Sequence, residues 1–600
     1  MHKDITNYLE RVRSQSATSA DLSNIPKWLE SNTRHPLDVD MPWSFKDHEY
    51  QIDILKDTAD DLCAQKCSQV GASELWVRLL LALAALSKSM TVIYVLPTTG
   101  FARKFSKGRI DPIISSSEVL RGMVNKDVDS SELKQLGNSF LYIAGSYGQN
   151  SAISVPAQGL FQDEVDFCNQ ATLTTFNSRL GHNKPGEFYK RSFSTPTVRN
   201  YGISKLFEAS RKSYYTVRCG ACKDWVALDF LRDVEVPGFD GNLSLFTKED
   251  LLSEQVKVSE AMMRCPSCKQ VIPQKTLCDP SQRRWVAMHP GRSKAGYQIA
   301  PFDVPEINPI ARTIYQIDDY DRKKDWANFK VGVPYEDAES TFLVDLIKDS
   351  ATYTPLPTPP KVEDEDEAPI ITPLSSGAVF GLDVGKVSWF TLLVPCDGIP
   401  VVRYAERIVQ DGNNYLGKRV LHLCRVFGVV RGVVDAGPDI SVSKYLVDHA
   451  DHGKVWACYY ARTPKGHLDI LSYKEEEQVV TAFRTGSLDE LVKRVNGGTI
   501  RYAQFPDFKL HMEHLEAMKR VSHRNDAGEE VVAWISTKAD HYCHSLNYAN
   551  MAWNMKEGVG GGAVKAVPCL PSVASAKIGK VKDDPFHERE KQRFASRYFR

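Results

Sequence analysis

From Trp43 onward, short apolar runs of strand length alternate with stretches whose apolar positions recur at helical spacing, and this rhythm continues to about Arg211. Such alternation predicts an α/β domain on a largely parallel sheet, with the run from Leu75 to Leu86 as one of its helices. A second series, GAVFGLDVG, WFTLLV, VVRYAERIV and GVVRGVVDAG, predicts closely spaced strands ahead of further helices, hence a second α/β unit. Between the two lie six prolines from Pro355 to Pro373 and the acidic run EDEDE, a composition that cannot bury a core and predicts an extended boundary. The first residues are polar and aperiodic, and the tail is rich in Gly and Lys before it ends in HEREKQRFASRYFR; both read as mobile or partner-ordered segments. The expected organisation is an arm (1–40), an α/β domain (41–214), a cysteine-bearing insertion (215–275), the remainder of the first domain with a connecting subdomain (276–354), a linker (355–373), a second α/β domain (374–557) and a tail (558–600).

Composition narrows the function classes. With 42% apolar and 25% charged residues over 600 positions, the chain suits a soluble multidomain protein with several cores. Lys plus Arg equals Asp plus Glu at 75 each, which excludes a protein that holds nucleic acid by being basic throughout; any such contact is local. The most apolar segment, Leu79 to Leu86, is too short to cross a bilayer and no apolar leader follows the start, so the expected location is cytoplasmic, with no membrane partner.

Lys66–Glu74, KCSQVGASE, stands between an apolar stretch and a helical run, where a phosphate-binding loop belongs. Gly71 permits close approach of an anion to helix N–H groups, and the Ser73 hydroxyl suits Mg²⁺. The usual G-x-x-x-x-G-K-[ST] pattern is altered: Ala72 occupies the lysine position and Lys66 stands at the first glycine, from where its ammonium reaches β- and γ-phosphates. Downstream, GLFQDEVDF runs an apolar strand into Asp163, expected to hold Mg²⁺, and Glu164, expected to orient or deprotonate the attacking water. In FSTPT, Ser194 and Thr195 at a strand end suit γ-phosphate sensing and coupling to movement. Tyr50 and Gln51 suit stacking on and hydrogen bonding to adenine, or Tyr50 is plain core.

Two C-x2-C pairs, Cys219 with Cys222 and Cys265 with Cys268, are separated by 42 residues. Four thiolates so paired suit one tetrahedral Zn²⁺ in a structural role, since four protein ligands leave no position for water. In the second α/β unit, Asp383 lies on a glycine-flanked strand, Asp435 ends another, and Asp540 opens the helical stretch DHYCHSLNYANMAW. Three carboxylates so placed suit two Mg²⁺ or Mn²⁺ ions, Asp383 bridging both, that activate water and stabilise a leaving 3′ oxygen. His541, His544 and Glu406 are alternative ligands.

The ordered set YQ at 50, K-x4-G-x-S at 66, PTTGFARKFSKGRIDP at 97, DE at 163 and STPT at 194 resembles the lambda-like class of tailed-phage terminase large subunits, from about residue 40 to about 555. In that family the loop lysine is often displaced to the start of the motif, as Lys66 is here. The resemblance implies an N-terminal P-loop (ASCE-type) ATPase with a zinc-binding insertion and a C-terminal ribonuclease-H-like nuclease. It implies ATP with Mg²⁺ as the energy source, double-stranded DNA as substrate, and Arg103 or Arg109 as arginine finger. By the same analogy the partners are the small terminase subunit at the N-terminus, the portal of the procapsid at the C-terminus and further copies in a ring, in the host cytoplasm and outside the mature virion. Two other readings compete: a helicase-like ATPase whose second unit is another motor lobe without nuclease activity, and a zinc-stabilised binding module with a dead nucleotide site.

Overall fold

The structure, a computed structural model, describes residues 24–147, 154–336, 339–361, 372–409, 415–437, 439–461, 470–524 and 530–558. The start of the expected arm, the EDEDE run and the tail from 559 lie outside the described residues. Of two units, the first comprises the described residues up to Tyr335 and those within Ser522–Val531, and the second those within Glu336–Val521 and from Val532 onward.

In the first unit, α1 (Tyr50–Lys56) precedes β1 (Asp61–Lys66), α2 (Ala72–Leu86) and β2 (Thr91–Leu96). There follow β3 (Val124–Asp129), β4 (Leu133–Leu136), β5 (Ser139–Gly145), β6 (Gly159–Asp163), β7 (Tyr189–Ser194), β8 (Ser213–Arg218) and β9 (Trp225–Val226). A small group comprises β10 (Val234–Glu235), β11 (Met262–Arg264) and β12 (Val271–Ile272), after which β13 (Arg283–Ala287) and β14 (Ala295–Ile299) return to the main sheet. Its order is β13-β8-β14-β1-β7-β6-β2-β5-β4-β3, parallel from β8 to β5. β2, TVIYVL, is buried at all but its first residue, as a central parallel strand covered on both faces must be. α2 is apolar almost all round and buries Leu75 to Ala84. β7 lies between β1 and β6, so the ends of all three strands meet at one edge of the sheet.

The cysteine-bearing insertion was expected to be self-contained from 215 to 275. It instead shares one core with later residues: Val217, Phe230, Phe246 and Met263 pack with Phe302, Ile314 and Trp326. Each of its small strands is too short to bury a face alone.

In the second unit, β15 (Ala378–Asp383), β16 (Val387–Cys396) and β17 (Ile399–Val409) form an antiparallel meander. After α3 (Tyr415–Val426), β18 (Val429–Asp435) pairs parallel to β15; α4 (Ile440–His449) leads to β19 (Val455–Ala461), parallel to β18. β20 (Leu471–Lys474), β21 (Val479–Phe483) and β22 (Arg501–Tyr502) complete the order β20-β21-β19-β18-β15-β16-β17-β22. The last helix, α5 (His541–Gly558), lies on the sheet against β15. Gly381 makes this possible, because a Cβ there would stand 1.9 Å from the Ser545 carbonyl and 2.3 Å from Ala549 N. Any side chain would push α5 off the strand that ends in Asp383.

The extended boundary expected from Pro355 is a correction. Leu356 is buried with Phe380 and Tyr404, and the Pro359 and Pro360 carbonyls accept hydrogen bonds from the fully buried Arg419, so the described part of the proline stretch is strapped onto the second unit. Prolines make it extended, and Arg419 satisfies the carbonyls that an extended chain leaves over.

Candidate functional sites

β1 delivers Lys66 to a tight loop. The Cys67 N–H donates to Ile299 O at 3.0 Å and the Ser68 N–H to Phe329 O at 2.6 Å, while Gly71, at φ 73°, turns the chain into α2. Tyr50 Oη donates to the Val70 carbonyl, and Gln51 Nε2 lies 3.3 Å from the same oxygen. Both side chains are buried. Of the two readings of Tyr50, burial describes its position, and it braces the loop from behind together with Gln51.

Opposite the loop, β6 ends in Asp163. Its Oδ2 accepts from Tyr94 Oη at 2.9 Å, the Ser73 hydroxyl lies near enough to favour the carboxylate's charged form, and Oδ1 is buried without a hydrogen-bond partner. Burial, reinforced by the Glu164 charge, pushes the Asp163 carboxyl up to about 7 against the pull of Lys66. Glu164 adopts the left-handed conformation, φ 53°, uncommon outside glycine. That turn swings its carboxylate back over the strand ends: Oε1 lies 3.0 Å from Lys66 Nζ and Oε2 lies 3.3 Å from Ser194 Oγ. Burial works against the Lys66 ammonium, but the charges of Glu164 and Asp163 outweigh it and hold its pKa above the ordinary value. Thr195 Oγ1, next along, is buried without a partner. Lys66, Ser73, Asp163, Glu164 and Ser194 thus gather at one edge, and Ala72 opens the helix beside them.

The two candidate arginines part company. Arg103 is 60% exposed and paired at 2.6 Å with Glu132. Arg109 sits in a π-helical turn, Ser106–Ile110, with Nη1 3.5 Å from Glu74 Oε2, one residue beyond Ser73. Glu74 is held on its other oxygen by the buried Arg78 at 2.8 Å.

The four cysteine Sγ atoms lie within 4.8 Å of one another. Cys219 Sγ is 3.7 Å from Cys268 Sγ, and Cys222 Sγ is 3.8 Å from Cys265 Sγ. The two turns are built alike. Lys223 N–H returns to Cys219 O at 3.0 Å and Lys269 N–H to Cys265 O at 2.9 Å, and both lysines are left-handed, at φ 68° and 61°. Each turn aims two thiols at a common centre.

In the second unit, Leu382 registers with Val434 across the parallel β15–β18 pair, so Asp383 and Asp435 end neighbouring strands on the same face. Burial pushes the Asp435 carboxyl up to about 6, with the charge of Asp383 adding to the shift and the Gly437 N–H opposing it. Asp540 immediately precedes α5. Burial would raise its pKa, but the hydrogen bond and charge of His544 keep it below the ordinary value. His541 Nδ1 lies 2.8 Å from Asp383 Oδ2, and its ring stacks on Trp389 at 5.3 Å and 6°. The Asp383 hydrogen bond, against burial, raises the His541 pKa. The acids are set more openly than the thiols: among the described residues, only the cysteines form a group of three or more such ligand atoms within 4.8 Å. Glu406 is excluded as an alternative ligand. It pairs across from Phe390, on the sheet face opposite Asp383, and binds Arg419 at 3.1 Å and Tyr404 Oη at 2.5 Å.

Residues 42–283 match the protein family described as phage terminase large subunit gpA, ATPase domain. The segment that carries the Lys66 loop, Asp163, Glu164 and the four cysteines of the quartet thus resembles the ATPase domain of phage terminase large subunits. No curated protein matches it. Among solved structures, the large terminase of bacteriophage HK97 is similar over 88% of this chain and 99% of that one, at 10% identity and a TM-score of 0.48. The large terminase nuclease of the thermophilic phage G20c is similar over 35% and 97%, at 17% identity and a TM-score of 0.23.

One polar residue of the first site escaped the sequence reading. Asp166 is buried and accepts from Thr197 N at 2.8 Å, Thr197 Oγ1 at 2.7 Å and Ile203 N at 2.7 Å, which ties the end of β6 to the turn after β7. The only trace of it in the sequence is a third acid in QDEVD, two residues after Glu164. Among the described residues, no helix is long and apolar enough to cross a membrane.

Proposed function

We propose that this chain is a DNA-packaging motor and nuclease: ATP turnover in the first unit drives double-stranded viral DNA into a procapsid, and the second unit cuts the concatemer. The carrying observation for the motor is the meeting of Lys66, Ser73, Asp163, Glu164 and Ser194 at one sheet edge, with Asp163 Oδ1 buried and unpartnered. An orphaned carboxylate oxygen beside a hydroxyl at a helix N-terminus suits a P-loop of the ASCE type, with β7 inserted between β1 and β6. Ser73 and Asp163 would hold Mg²⁺, which with ATP supplies neutralisation of the phosphate charge. Glu164 is the group that orients water, Lys66 meets the phosphates, and Ser194 and Thr195 sense their loss.

Arg109, and not Arg103, is the arginine that we assign to the γ-phosphate, since Glu74 holds it beside the loop's helix. Arg109→Ala is expected to lower kcat for ATP by roughly 10²–10³-fold while Arg103→Ala stays within about threefold, in a steady-state ATPase assay. Equal losses would remove this assignment.

The cutting reading rests on the Asp383–Asp435 neighbourhood with α5 laid over it, a sheet order and helix placement that suit a ribonuclease-H-like nuclease. Asp383, Asp435 and Asp540 would hold two Mg²⁺ or Mn²⁺ ions, which supply Lewis acidity to an in-line displacement at phosphorus. Trp389 and His541 fix the Asp383 carboxylate against β15. A helicase-like second lobe has no use for acids gathered at strand ends and is not favoured. Separable loss of ATP turnover and of cutting, in Glu164 and Asp383 variants, tests the whole reading.

The cysteine quartet suits one structural Zn²⁺: thiols 3.7 and 3.8 Å apart match the edge of a tetrahedron with Zn–S bonds of about 2.3 Å. Metal analysis of the purified chain is expected to give about one zinc per chain, lost in a Cys222→Ser/Cys265→Ser double variant together with a lower unfolding temperature. Full stability without zinc would contradict the role. On this reading the motor works as a ring at the portal in the host cytoplasm, outside the mature virion, with the small subunit at the N-terminal end; the match of residues 42–283 to a terminase ATPase domain supports this part of the proposal.

A further inference from the structure

We propose that His544 is the positioning residue of the cutting site: Tyr460 fixes its ring, and the ring fixes the Asp540 carboxylate without itself binding metal. This deepens the nuclease reading and rests on it. His544 was an alternative ligand by sequence, but both of its ring nitrogens are engaged. Nε2 lies 3.2 Å from Asp540 Oδ2, and Nδ1 lies 3.3 Å from Tyr460 Oη. Tyr460 Oη in turn accepts from Asn547 Nδ2 at 3.0 Å, and the same amide reaches Ser487 Oγ at 3.0 Å.

The Asp540 carboxylate only accepts, so the ring proton belongs on Nε2, which donates to it, and Nδ1 is left as the acceptor facing the Tyr460 hydroxyl. A metal needs a bare ring lone pair, and this tautomer has spent the one on Nδ1 on the phenol. Arg484 Nη2, 3.4 Å from Nε2, is a donor only and makes no hydrogen bond to a protonated Nε2, but its charge stands beside the Asp540 carboxylate. Asp540 and His544 are four residues apart at the start of α5, which puts them on one helix face. His541, one residue past Asp540, serves Asp383 instead. Around this line the packing is rigid: Tyr460 stacks on Tyr548 at 5.3 Å and 27°, and Asn547 is fully buried. A carboxylate that binds a cation tightly must be held in one rotamer, and this hydrogen-bonded series does so from inside the fold.

The test uses the full chain and Mn²⁺ as the probe, read two ways: plasmid cleavage against Mn²⁺ concentration, and calorimetric Mn²⁺ binding, where the heat missing from Asp383→Ala defines the site. In His544→Ala the half-maximal Mn²⁺ concentration and the calorimetric Kd should each rise roughly 10–100-fold, with cleavage at saturating Mn²⁺ returning to within about threefold of wild type. His544→Gln, whose amide can still accept from Tyr460 and donate to Asp540, should recover most of the affinity, and Tyr460→Phe should fall between. Circular dichroism and the unfolding temperature of the second unit report that each variant is folded; if His544→Ala is not, the Gln and Phe variants decide. Unchanged Mn²⁺ affinity in His544→Ala and Tyr460→Phe overturns the proposal. So does loss of cleavage at every Mn²⁺ concentration, as expected for a ligand, or a Gln variant no better than Ala. If wild type neither cuts nor shows a heat that Asp383→Ala removes, the nuclease reading itself has failed.

Discussion

Replacing Asp383 with alanine should remove Mn²⁺-dependent DNA cleavage by about three orders of magnitude or more, the several kcal/mol that a lost metal-binding carboxylate represents, while ATP turnover persists. The asymmetry follows from where the residue sits. Asp383 ends β15, beside Asp435 on β18, in a unit that begins at Glu336, whereas the loop at Lys66 belongs to the other unit. The substitution removes no core packing, because Asp383 offers the sheet face only its carboxylate, held by His541 at 2.8 Å. Supercoiled plasmid nicking and ATP hydrolysis measured on the same preparation check it. Cleavage at wild-type rate would remove Asp383 from the site.

Glu164→Gln should lower kcat for ATP by about 10²–10⁴-fold, the range for losing a positioned general base, with nucleotide affinity kept. The amide preserves the shape of the left-handed turn and a contact to Ser194, so the loss is one of charge. It also frees Lys66, whose ammonium now pairs with Glu164 at 3.0 Å, to engage phosphate. Single-turnover hydrolysis and a nucleotide titration separate the two effects. Unimpaired hydrolysis would move the role to another acid; Asp166 is a poor candidate because it is buried and both of its oxygens are tied to Thr197 and Ile203.

Much of this was legible because the chemistry sits where periodicity breaks. An apolar run that stops in Asp163, or in Asp435, marks a strand end at a sheet edge, and β6 and β18 end there. Apolar spacing gave a helical run from Leu75 to Leu86 and another opened by Asp540, and these fall in the helices Ala72–Leu86 and His541–Gly558. Residues that act across long sequence separations were not legible. Lys66 and Glu164 meet only because β7 holds β1 and β6 apart by one strand width, and no local pattern encodes strand order. For Tyr50 the sequence left adenine stacking and plain core equally open, and only the placement of α1 buries it with Gln51 behind the loop. Glu406 fails as a ligand by one step of register, since neighbouring residues on a strand face opposite ways. The proline stretch kept its extended form and still belongs to a core, because Arg419 is there to meet it.

Mn²⁺ anomalous diffraction from crystals of the full chain soaked with a non-hydrolysable ATP analogue reads both units at once. The account predicts one peak between Ser73 and Asp163 beside the nucleotide phosphates, and a separate pair of peaks bounded by Asp383, Asp435 and Asp540. Manganese at the first position with none at the second would leave a motor without a blade, and none at either would contradict the account as a whole.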